Sequence, residues 1–172
     1  MVNELRTLFE TRRFSVVEQV CTRPDGTPAA CQFVQHPGSV AILPLVDESR
    51  VCLIRSRRLT VGETLIEVPA GTREHQESPL ETARRELAEE TGYRAAHLAE
   101  LVSYYPSPGV LSERMWVFVA HGLTAGEPAR EPNEEIENLL VSREEALAMI
   151  HRGEIRDGKT IVALLLYDQG HR

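Results

Sequence analysis

Three glutamates, Glu86, Glu89 and Glu90, crowd behind Arg85 in the run Arg85-Glu-Leu-Ala-Glu-Glu-Thr-Gly-Tyr93. On a helix turning about 100° per residue they share an arc of about 100°, at one edge of the stripe that carries Leu80, Ala83 and Leu87. No helix is stabilised by this placement. Each like-charge pair costs about 0.2 to 0.5 kcal/mol, and the helix dipole disfavours an anion in the last turns by roughly another 0.3 to 1 kcal/mol. Arg85 reaches Glu81 and Glu89 at four-residue spacing, but one guanidinium does not neutralise the group. A divalent cation would. Hard carboxylate oxygens with no His or Cys among them select Mg²⁺, with Mn²⁺ as a substitute, over zinc or copper. Mg²⁺ is commonly shared between a few carboxylates and phosphate oxygens, so the cluster points to a phosphate-bearing ligand. Solvated glutamates on an ordinary amphipathic helix are the plainer alternative, and their grouping behind a Gly turn counts against it.

The element that must carry these side chains has clear local signals. Ser78-Pro79-Leu80-Glu81 offers an N-cap, a proline at the first helical position and a glutamate that completes a capping box. The spacing predicts a helix from Pro79 to about Thr91, closed by Gly92 in the left-handed conformation. Upstream, strands are expected at 14–22 and 30–35 around an Asp25-Gly26 turn, then at 40–46 and 51–55 as a second hairpin. A short strand at 65–68 is expected to stop at Pro69-Ala70-Gly71. Downstream, strands are expected at 98–105 and 115–121 on either side of a Pro/Gly loop. A second capping box, Ser142 with Glu145, opens a helix to about Arg152, and a last helix runs over 159–169. Strands and helices alternate irregularly, which predicts an α/β fold of mixed α+β character: a mixed sheet between helix layers in an α/β/α sandwich, with an N-terminal antiparallel strand extension.

Bulk properties narrow the partners. The chain has 172 residues, 42% hydrophobic and 26% charged, and a formal charge of −7. The negative charge disfavours a nucleic-acid polymer, and no apolar run approaches the roughly 20 residues of a membrane span. The N-terminal segment lacks the apolar stretch of a signal peptide, so a cytoplasmic location is expected. Cys21, Cys31 and Cys52 have no metal-binding spacing and read as small core residues in a reducing compartment.

Written out, Gly71, Glu77, Arg85, Glu86, Leu87, Glu89, Glu90, Gly92 and Tyr93 follow the pattern Gly-x5-Glu-x7-Arg-Glu-apolar-x-Glu-Glu-x-Gly-apolar. The segment resembles the Nudix box, with Tyr93 a loose fit in the last slot. Glu67-Val-Pro-Ala-Gly71, Tyr105-Pro-Ser-Pro-Gly109 with Glu113, Glu134-Glu-Ile136 and Gly153-Glu-Ile-x-Asp157 extend the likeness to the ADP-ribose pyrophosphatase branch. The resemblance implies Glu86 and Glu90 as main metal ligands, with Glu89 and the Ala70 carbonyl assisting. It also implies that Arg85 orients the carboxylates and that Glu77 ties the loop to the helix.

The same resemblance implies hydrolysis of ADP-ribose or a related nucleotide sugar to a nucleoside monophosphate and a sugar phosphate. GDP-mannose or another nucleoside diphosphate is the alternative substrate, and a silent binding module the less favoured reading. A general base is implied in the acidic loop 131–137, with Glu135 preferred to Glu134. Arg58 is either a phosphate grip or an exposed strand-end arginine, and Ser56 stands where relatives often carry Gln. Pro108 and Glu113 are expected at the substrate. Tyr104 and Tyr105 either stack on a base or belong to the core. Residues 1–39 are expected to form a strand region that pairs two subunits into a homodimer, with 40–172 as the hydrolase domain.

Overall fold

The computed structural model describes residues 5–130, 132 and 134–170. In β4 (Ser39–Pro44) all six residues are buried, the mark of a strand covered on both faces. β4 pairs in parallel with β9 (Met115–Thr124) and antiparallel with β7 (Ala70–Thr72), while β8 (Arg94–Tyr104) lies on the far side of β9. The sheet is therefore mixed, as expected.

Period-two alternation along β4 and β9 separates two cores. Ala41, Leu43, Val117 and Val119 face α2 (Arg143–His151) and α3 (Gly158–Gly170), where they meet Met149, Ala163 and Leu164. Val40, Ile42, Phe118 and Ala120 face α1 (Pro79–Thr91) through Ala83 and Leu87. Burying Leu87 contributes about 2 kcal/mol, and its position dictates which way the Glu86 and Glu90 edge turns.

A second sheet joins β5 (Arg50–Arg58), β6 (Glu63–Glu67) and β10 (Ile136–Ser142). A third, formed by β1 (Arg6–Glu10), β2 (Ser15–Thr22) and β3 (Pro28–Gln35), is the antiparallel N-terminal extension.

The local signals of α1 are present in full. Ser78 accepts from the Glu81 amide, the Glu81 carboxylate accepts from the Ser78 amide, and Gly92 sits at φ 81°. The second box is only half formed. Ser142 caps the Glu145 amide, but the Glu145 carboxylate turns to Arg152 instead.

Several expectations are corrected. Asp47 makes the expected turn by accepting from the Ser49 and Arg50 amides, yet β4 and β5 separate into different sheets, joined by the single Leu45–Val51 bridge. The short strand does stop before Pro69, as expected, but the chain re-enters pairing at once as β7 on the edge of β4, in a different sheet. β1, and β10 immediately after the acidic loop, were not expected from the sequence. Cys21 and Cys31 are not core residues. β2–β3 pairing places them diagonally, with Cα atoms 6.1 Å apart and within disulfide reach, and they are bonded to each other. Cys52 is buried and free, its thiol pushed up to about 11 by burial. Among the described residues, no helix is long and apolar enough to cross a membrane.

Candidate active site

Arg85 is the hub around which the carboxylates assemble. Its Nε and Nη2 donate to the two oxygens of Glu77 at 2.9 and 3.0 Å, and Nη1 donates to Glu86 at 2.7 Å and Glu89 at 3.0 Å. Nη2 also reaches the Thr72 carbonyl at 3.3 Å. The expected contact with Glu81 is not made, because the Glu81 carboxylate is committed to capping the helix. Glu77 in addition accepts from the Thr82 hydroxyl and the Glu74 amide, which fastens the preceding loop onto the helix. The Arg85 guanidinium beside Glu77 lowers that carboxyl to about 2.

Glu86 and Glu90 occupy a different environment. Glu90 is 4% exposed, and its Oε2 accepts from the Ala70 amide at 2.9 Å. The Glu86 carboxylate lies directly over the Gly71 Cα, where a Cβ on residue 71 would overlap it. Glycine is needed there for close approach. Burial raises the Glu86 carboxyl despite Arg85, and it pushes Glu90 up to about 8, with the charges of Glu86 and Glu134 adding to the effect. Two desolvated carboxylates that repel each other, and feel a third, form an oxygen donor set suited to a hard divalent cation. Among the described residues, no group of three or more His, Cys, Asp or Glu already stands at mutual ligating distance. Glu89 is turned to Arg85.

The residues on either side of the acidic loop are tied to the C-terminal end of α1. The carbonyls of Glu89, Glu90 and Thr91, unpaired within the helix, accept from the Ala129 amide, Arg130 Nε and Asn138 Nδ2, each at 2.9 Å. Arg130 and Asn138 also bond to each other at 2.9 Å, and the cation at this helix end offsets the dipole. Sequence reasoning missed this clasp. Its partners lie 40 to 47 residues apart and no local spacing announces them.

The clasp brackets the loop that carries the two candidate bases, of which Glu131 and Asn133 lie outside the described residues. Glu134 is half-buried and its charge bears on both Glu86 and Glu90. Glu135 is exposed, beside Arg55 and Arg57 on the face of the β5–β6–β10 sheet.

The other expected site residues are more dispersed. Arg58 is not a bare strand-end arginine. It pairs with Glu67 in bidentate fashion at 2.7 and 2.6 Å, and its charge reaches Glu90. Pro108 lies in an exposed turn that is stitched to β3 through Val34. Glu113 accepts from the Ser39 hydroxyl at the start of β4. Among the described residues, neither Pro108 nor Glu113 hydrogen-bonds to the α1 carboxylates. Tyr104 packs against the core and Tyr105 is exposed.

Residues 35–164 match the family model described as the NUDIX domain. The chain is 38% identical to an ADP-ribose pyrophosphatase of Bacillus subtilis over 143 residues, covering 82% of this chain and 77% of that protein. It is 35% identical to a GDP-mannose pyrophosphatase of Citrobacter koseri over 136 residues, covering 74% and 71%. A solved structure described as an ADP compounds hydrolase superposes with a TM-score of 0.83 at 22% identity, covering 97% of this chain and 91% of that one, and so shares the fold. With the box lying inside the match over 35–164, the chain belongs to the Nudix family.

Proposed function

We propose that the protein is a Mg²⁺-dependent pyrophosphatase that hydrolyses ADP-ribose or a related nucleotide sugar to a nucleoside monophosphate and a sugar phosphate. The observation that carries this reading is the pair of desolvated carboxylates, Glu86 and Glu90, seated on Gly71 and Ala70 with the charge of Glu134 bearing on them. Glu86 and Glu90, assisted by Glu89 and the Ala70 carbonyl, would hold Mg²⁺, and Mn²⁺ would substitute. The bound metal supplies Lewis-acid activation of water and neutralises charge that develops on the diphosphate.

The chain's own residues do the rest. Arg85 holds Glu77, Glu86 and Glu89 in register. Arg58 faces a phosphate, and Pro108 and Glu113 border the substrate from the β3 side. The water oxygen bonds to phosphorus as the bridging P–O bond breaks, and the water proton passes to the general base. We assign that base to Glu134 ahead of Glu135, because Glu134 is half-buried and electrostatically coupled to Glu86 and Glu90, whereas Glu135 is exposed beside Arg55 and Arg57.

A substrate panel tests the assignment. ADP-ribose, GDP-mannose, NADH, diadenosine polyphosphates and nucleoside triphosphates, each with and without Mg²⁺, are followed by release of monophosphate. Metal-dependent turnover of ADP-ribose is expected to exceed the others. GDP-mannose is the second candidate, on the identity with the Citrobacter koseri protein. Turnover of a triphosphate alone would overturn the reading.

We further propose that residues 1–39 form a dimerising unit ahead of a hydrolase domain over 40–172, in a cytoplasmic homodimer. The N-terminal sheet region exposes Leu8, Phe9, Phe14 and Val20, apolar surface that a second copy would cover. Sedimentation at micromolar concentration is expected to give a dimer, and a monomer would refute the unit's role.

A further inference from the structure

Beside the carboxylate site lies a second network of charges that the proposed hydrolysis does not by itself require. Glu67, at the end of β6 and 1% exposed, accepts from Arg58 Nε and Nη2 at 2.7 and 2.6 Å, and from Lys159 Nζ. Lys159 Nζ also donates to Asp157 at 2.9 Å. The other Asp157 oxygen accepts from the Thr160 amide at 3.0 Å and the Thr160 hydroxyl at 2.6 Å, capping the start of α3. The Thr160 hydroxyl in turn accepts from the Val68 amide at 2.8 Å. Two residues further along, the Ala70 amide bonds Glu90. An unbroken set of contacts thus runs from α3 through the end of β6 to the carboxylates of α1.

The charges in this network balance, two cations against two anions, but balance does not explain them as a stabilising device. Removing ions from water costs several kcal/mol each, and well-packed apolar residues commonly serve stability as well or better. What such a network supplies is orientation. A guanidinium bound side-on through Nε and Nη2 has its plane fixed, and the Nη1 edge faces away from the carboxylate that holds it. Burial penalises the charged Glu67 carboxylate, and that cost is offset by a second cation. Lys159 provides it, and Asp157 holds Lys159.

We infer that Glu67, anchored by Lys159 and Asp157, is a positioning residue that fixes Arg58 to grip the diphosphate beside Glu86 and Glu90. This rests on the pyrophosphatase reading above. It assigns to Asp157 and Lys159 a role in substrate binding although they lie more than 60 residues beyond the Nudix helix in sequence.

Kinetics with ADP-ribose and Mg²⁺, on the full chain, test it. Glu67→Gln is expected to raise KM roughly 10- to 100-fold, the range for losing a charge-assisted hydrogen bond, with kcat changed less than about threefold. Arg58→Met should match it, and the double variant Glu67→Gln/Arg58→Met should be no worse than Arg58→Met alone. Lys159→Met should reproduce the KM effect and Lys159→Arg should restore it. These readouts separate positioning from a merely structural role, which would lower Tm and kcat and give additive losses. An unchanged KM in Glu67→Gln, or additivity in the double variant, overturns the inference. Binding of ADP, measured by calorimetry without turnover, keeps the two proposals apart. If the wild type hydrolyses nothing but binds ADP and Glu67→Gln weakens that binding about 10-fold or more, the hydrolase reading fails and the positioning role stands. If Glu67→Gln binds ADP as the wild type does, the positioning role fails even where hydrolysis is intact.

Discussion

Replacing Glu90 by Gln is expected to lower kcat by roughly 10³-fold or more while the fold survives, as for loss of a group that stabilises charge in the transition state. The amide keeps the size of the side chain and its oxygen still accepts from Ala70, so no cavity results and the Ala70 amide keeps its acceptor. What disappears is one of the two desolvated charges on which cation binding depends. The same variant carries an independent signature in stability. Burial, then Glu86 and Glu134, push the Glu90 carboxyl up to about 8 in the folded metal-free chain, against an ordinary value of 4.5. Between those values the folded state holds a proton that the unfolded state has released, so stability is complete below pH 4.5 and falls as pH rises towards 8. Glu86 is raised in the same direction. Glu77, lowered to about 2 by Arg85, acts oppositely: its contribution is present above the unfolded value and is lost as pH falls towards 2. Thermal melts in chelator from pH 5 to 9 should therefore decline for the wild type and decline less for Glu90→Gln, which should melt higher at pH 8. Added Mg²⁺ should reverse the wild-type decline, because the metal takes the ionised carboxylates and releases the proton. An unchanged kcat would remove Glu90 from the metal site, and a wild-type melting temperature flat across this range would refute the raised carboxyl.

The second large effect is expected at the loop. Glu134→Gln should reduce kcat by about 10²- to 10⁴-fold, the usual contribution of a positioned base, whereas Glu135→Gln should remain within a few-fold of wild type. The two residues are adjacent and chemically alike, so their difference arises wholly from where the loop is held. Ala129, Arg130 and Asn138, on either side of the loop, clasp the last carbonyls of α1, the helix that bears Glu90. Glu134 is half-buried there, and its charge bears on Glu86 and Glu90. The Glu135 side chain is exposed beside Arg57, while its carbonyl accepts from the Arg57 amide at 3.2 Å. Single-turnover rates with ADP-ribose in Mg²⁺ measure the chemical step directly. A collapse in Glu135→Gln with Glu134→Gln unaffected would exchange the two assignments.

Features that depend on neighbours within a few residues were legible in the chain's local pattern. The capping box at Ser78, the left-handed cap at Gly92, the shared arc of Glu86, Glu89 and Glu90, and the Asp47 turn all rest on hydrogen bonds or angular offsets spanning at most a helical turn or so, and each is present. Which distant partner each charged or sulfur-bearing side chain meets became visible with the folded arrangement. Arg58 is clamped by Glu67, Lys159 crosses 92 residues to the same carboxylate, and Cys21 and Cys31 meet across a hairpin instead of entering the core. β4 and β5 diverge into separate sheets for the same reason. Strand pairing brings together residues remote in sequence, and a shift of one residue in register would turn each side chain to the opposite face, so no local pattern specifies these contacts.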